Sequence, residues 1–72
     1  MISDVVVARR ISDLMLDVSG KLNDSILDVV RSSPEDAENY KRAIGFLLGG
    51  ILLDVLNPLY KAHPDLKPAE LK

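Results

Sequence analysis

Seventy-two residues leave room for one domain, and a chain that is 47% hydrophobic and 28% charged is too apolar for a disordered tail. With no cysteine and one histidine, a disulfide framework, a thiolate zinc site and a polyhistidine metal site within one chain are excluded. A net charge of −2 argues against a dedicated nucleic-acid binder, whose phosphate contacts need clustered Lys and Arg.

The first eleven residues carry Asp4 and lack an apolar core of adequate length, so no signal peptide is read and a cytoplasmic location is expected. Ser3 is the expected cap of a first helix, with Asp4 at its positive end and Ile2 and Val7 placed to close a hydrophobic staple. Val7, Ile11, Leu14, Met15, Val18, Leu22, Ile26 and Val29 then recur at steps of three and four, which puts them on one helical stripe. Arg10, Asp13, Asp17, Lys21, Asp24, Asp28 and Arg31 form a second stripe within about 80°. That charged stripe keeps its phase through Gly20, so the spacing predicts a single helix over residues 4–31. Asp17 with Lys21 and Asp28 with Arg31 are favourable pairs on it. The stripe reads first as a solvated face, and second as a docking strip for a basic protein partner.

Residues 32–33 form the predicted hinge. Pro34 pushes Ser33 out of the α region and suits the first helical position itself, which makes Ser33 the expected cap of a second helix over residues 34–57. So short a connection favours an antiparallel hairpin. Glu38 is spaced to pair with Arg42. From Ala43 to Leu53 no side chain is polar, and eleven such residues span about 16 Å, roughly half a bilayer core, so no membrane span is expected.

Only Asn39, Ala43, Gly50, Asp54 and Asn57 make a small or polar strip on this helix. Tyr40, Ile44, Leu47, Ile51 and Val55 form one apolar stripe, widened by Leu48 and Leu52, while Phe46, Leu53 and Tyr60 form another at heptad spacing. One partner helix cannot cover both stripes, and a lone hairpin buries little surface against its conformational entropy. Two hairpins packed as a homodimeric four-helix bundle solve both problems. The expected packing and dimer interface is Tyr40, Ile44, Gly45, Phe46, Leu47, Leu48, Gly49, Ile51, Leu52, Leu53, Val55 and Leu56. Gly45 and Gly49 share a face there and suggest close helix approach.

Residues 58–72 hold three of the four prolines and read as a tail, with a helical turn after Pro58, extended chain from His63 to Lys67 and a final turn from Pro68. Leu59, Tyr60, Leu66 and Leu71 suggest that it lies back along the helices; the alternative is that the tail docks into the groove of a protein partner. His63 with Asp65 is too sparse to hold a metal, and Asp54 reaches water, so neither reads as catalytic. No phosphate loop or nucleophile elbow is present, and neither enzyme activity nor a cofactor is expected. The expected role is a non-enzymatic structural or protein-interaction module acting as a homodimer. The alternative is a small dimeric nucleic-acid-binding regulator using Arg9, Arg10, Lys41 and Arg42.

Overall fold

The computed structural model describes residues 1–69, and every regular element among them is helical. Helix α1 spans Val5–Ser32 and passes Gly20 without interruption. Its cap is Asp4, not Ser3: the Asp4 Oδ1 accepts from the backbone N–H of Val6 at 2.8 Å and of Val7 at 3.1 Å. A carboxylate meets the partial positive charge of the free N–H groups better than a hydroxyl, which is why the start moves one residue on. Arg31 supplies positive charge in the last turn.

The hinge narrows to one residue. Ser33 sits at φ −144° and ψ 71°, and its N–H closes on the Val29 carbonyl at 2.8 Å, before Pro34–Asp36 form a 3₁₀ turn. Ser33 makes no side-chain cap bond. Its own carbonyl accepts the Asp36 N–H at 2.9 Å, which occupies the donor that a capping hydroxyl would need.

Helix α2 covers Ala37–Gly50, a π-helical turn covers Ile51–Leu56, and helix α3 covers Asn57–Ala62. Together with the opening 3₁₀ turn they form one helical run, Pro34–Ala62. Pro58 therefore does not stop the helix. A proline ring lacks the N–H and crowds the carbonyl four residues back, here that of Asp54. The wider π turn immediately upstream relieves that conflict, and the Asn57 N–H bonds to the Leu52 carbonyl, five residues back.

One extra residue in a turn rotates everything downstream by roughly 100°. Regular spacing would place Tyr60 with Phe46 and Leu53. The π turn instead swings Leu56, Leu59 and Tyr60 into the interior, where Leu59 is 0% and Tyr60 5% exposed. His63 then repeats the hinge geometry at φ −133° and ψ 72°, and Pro64–Leu66 form a second 3₁₀ turn where extended chain is expected. In both places an X-Pro step ends the helix and the proline's fixed φ starts a new turn. The final turn expected from Pro68 runs into residues 70–72, outside the described residues.

A nested series of contacts joins α1 and the residues before it to the later elements. Ser25 Oγ meets Tyr40 Oη at 2.7 Å, Ser12 Oγ meets Tyr60 Oη at 2.6 Å, and the His63 ring Nε2 donates to the Ile2 carbonyl. The face of α1 that packs keeps six of the eight residues of the expected stripe, Ile11, Met15, Val18, Leu22, Ile26 and Val29, all half-buried, and adds small residues at its edge. Ala8 and Ser12 are buried, Met15, Ser19, Leu22, Ile26 and Val29 are half-buried, while Val7 and Leu14 stay exposed. Those seven positions alternate steps of four and three, the spacing of a two-helix seam. Small Ala8, Ser12 and Ser19 let the helices approach, and the larger residues flank the contact.

Candidate interaction face

The interior residues on the seam side of α2 and the π turn are Tyr40, Ile44, Leu48, Ile51, Val55 and Leu56, all buried or half-buried. Gly45, Phe46, Leu47, Leu52 and Leu53 are exposed, and Gly49 is half-buried. The twelve residues expected to form one interface thus divide between contact with α1 and the outside. Phe46 lies on the side of the helix opposite buried Ile44, and both Phe46 and Leu53 are turned to the outside. They are 79% and 64% exposed.

Between them lies an open groove of about 500 Å³ lined by Arg42, Gly45, Phe46, Gly49, Gly50 and Leu53. A Cβ added at Gly45 or Gly49 would meet nothing within 4 Å, and one at Gly50 would meet only the Asp54 Oδ2, at 3.9 Å. The glycines therefore do not serve close approach to α1; they form the floor of the outward groove. The Asp54 carboxylate edges that floor beside Gly50, and the Arg42 side chain closes its other end.

The charged stripe of α1 faces solvent. Among the described residues its ion pair is Lys21 with Asp17, at 3.1 Å. Asp28 with Arg31 and Glu38 with Arg42 do not close to ion-pair distance, because exposed charges gain little over hydration. Arg9, Arg10, Lys41 and Arg42 are exposed but not gathered within one chain. Tyr40 is level with Ser25, and Arg10 stands fifteen residues, about 22 Å, further along α1. His63 is engaged at the Ile2 carbonyl, and among the described residues no three His, Asp or Glu side chains gather into a metal-binding group.

The two Tyr–Ser pairs were not anticipated from the residues. The signal available is that Ser12 and Ser25 interrupt or border an apolar seam while two tyrosines lie on the facing run. Such buried hydroxyls need partners.

Length also bears on the membrane question. The helical run Pro34–Ala62 has 29 residues and is long and apolar enough to cross a membrane by length and composition. The apolar stretch from Ala43 to Leu53 is thus only part of a longer helix, and a span is not excluded by length. Comparison with protein families, with curated proteins and with solved structures finds no match.

The chain is thin for its mass. It measures 44 × 20 × 16 Å with a radius of gyration of 14.3 Å, against about 11 Å for a compact domain of this length. Its accessible surface is 5252 Å². A compact monomer of 7.9 kDa exposes about 4,400 Å², which leaves roughly 800 Å² in excess.

Proposed function

We propose that this chain is an antiparallel two-helix hairpin that self-associates as a homodimeric four-helix bundle and serves as a non-enzymatic structural or protein-interaction module. The nested contacts from Ser25–Tyr40 outward to Ile2–His63 support the hairpin. The observation that carries self-association is the uncovered apolar face of α2, with Phe46 and Leu53 turned to the outside. The surface excess supports it quantitatively, since a standard interface takes about 800 Å² from each partner. Val7 and Leu14, exposed on one flank of α1, add apolar surface for a second copy to cover.

A second reading follows from the length of the Pro34–Ala62 run, with lipid in place of a second copy. The homodimer is favoured because Asp54 lies inside the apolar stretch, and a carboxylate near the centre of a bilayer costs about 2.5–3.5 kcal/mol on insertion scales. Sedimentation equilibrium from about 1 to 100 µM, without detergent, tests the reading, and a dimeric mass that dissociates on dilution is the expected result. A helical monomer throughout that range, or flotation with phosphatidylcholine vesicles, overturns it.

A further inference from the structure

We infer that two copies pair antiparallel through the outward face of α2, with Phe46 of each seated over the glycine floor of the other and Arg42 of each opposite Asp54 of its partner. This rests on the self-association reading and adds the face, the direction and the charge pairing.

The groove supplies the shape. Its floor is Gly45, Gly49 and Gly50, and its walls are the two largely exposed side chains Phe46 and Leu53. A two-fold axis makes an interface self-complementary, so each copy must offer both a projection and a recess. Phe46 is the projection and the glycine floor is the recess. The two lie side by side on the same helix, as such a contact requires.

Charge sets the direction. Arg42 lines one end of the groove, the Asp54 carboxylate stands beside Gly50 toward the other, and neither is in an ion pair among the described residues. The two positions are twelve residues apart, about 18 Å along the helix. An axis level with Leu48 sets each Arg42 at the height of the partner's Asp54 and each Phe46 at the height of the partner's Gly50. A parallel pairing of the same faces would instead set arginine against arginine and aspartate against aspartate, which opposes association. The whole chain exceeds a compact monomer by roughly 800 Å², so there is surface for a second copy to cover, of which the face from Arg42 to Leu53 is a part.

The test is a charge swap read by sedimentation equilibrium, with circular dichroism confirming helix content in each variant. Arg42→Asp and Asp54→Arg should each weaken the dimer by about tenfold or more, and the double variant should restore it to within about threefold of the starting affinity. Gly49→Leu fills the recess and should weaken the dimer by at least about tenfold, while the single chain keeps its helicity because the added side chain starts from open space. Should Gly49→Leu unfold the chain, the swap of two exposed side chains still decides. A dimer that tolerates each single swap, or in which the double variant fails to recover, overturns this pairing and leaves self-association through another face. A wild-type monomer overturns both.

Discussion

The bond between Ser12 and Tyr60 is the most direct probe of the π turn, because without the added residue Tyr60 would point away from α1. Both side chains are nearly inaccessible, at 3% and 5%, and their oxygens are 2.6 Å apart. Ser12→Ala leaves the Tyr60 hydroxyl buried with no partner, and an orphaned buried polar group costs about 1–3 kcal/mol. Tyr60→Phe costs less, about 1 kcal/mol, because the Ser12 hydroxyl can turn to the carbonyl four residues back in its own helix. Removing both groups leaves an apolar contact of nearly the same shape, so the double variant should lie within about 1 kcal/mol of wild type. The expected result is therefore non-additive, with a coupling of about 1–2 kcal/mol.

The assay is urea unfolding followed by circular dichroism, at one fixed protein concentration for all four proteins, since association shifts apparent stability. With a slope of about 1 kcal/mol per molar urea for a chain this small, Ser12→Ala moves the midpoint by about 1–3 M. Purely additive effects, or a Ser12→Ala variant as stable as wild type, would mean that Tyr60 does not lie against α1 and that the helix carries no extra residue before Pro58. Tyr40 provides the contrast. Ser25 donates its one hydroxyl proton to the Leu22 carbonyl at 2.5 Å, so the Tyr40 hydroxyl donates to Ser25. That pair is only part-buried, water can replace the lost donor, and Tyr40→Phe should cost less than about 1 kcal/mol.

Asp4→Ala should lower stability by about 1 kcal/mol through loss of the cap, while Ser3→Ala should leave the urea midpoint unchanged. Equal effects of the two would return the helix start to Ser3. Gly20→Ala should raise stability by up to about 1 kcal/mol, since the site is exposed and an added Cβ meets nothing within 4 Å. A loss of stability there, measured by thermal melting, would mean that α1 bends at Gly20. Leu59→Ala removes a side chain that is 0% exposed and should cost about 2–5 kcal/mol, whereas Leu53→Ala should cost far less at concentrations where the chain is monomeric.

The all-α class follows from hydrophobic spacing, and the hinge follows from the steric effect of Pro34 on Ser33; both were legible because each depends on residues close in sequence. The packed face of α1 was legible in part. Six of its eight expected residues, Ile11, Met15, Val18, Leu22, Ile26 and Val29, are half-buried, but hydrophobicity also marks Val7 and Leu14, which are exposed, and passes over Ala8, Ser12 and Ser19, which are buried or half-buried and small. The placement of Tyr60 was hidden for a different reason. Counting at 3.6 residues per turn assumes an unbroken helix, and the conflict between Pro58 and the Asp54 carbonyl adds a residue to the turn just where the count crosses it.

That single addition also sets the extent of the outward face. In a regular helix the stripe from Phe46 and Leu53 would continue through Tyr60, and apolar surface in need of cover would reach to the end of the run. With Leu56, Leu59 and Tyr60 turned inward, the outward stripe ends at Leu53. What remains runs from Arg42 to Leu53, three turns or about 16 Å. A seam that short supports association of modest strength, sensitive to one exposed aromatic and to charges at its ends. This is why dissociation on dilution, and not an obligate dimer, is the expected behaviour. Straightening the π turn would thus have two opposed effects: it would strip Leu59 and Tyr60 from the interior of each chain while lengthening the face offered to a second copy. A Pro58→Ala variant that becomes both less stable as a monomer and more strongly dimeric would show those two effects together; a variant unchanged in both would mean that packing against α1, and not the proline, holds the turn open.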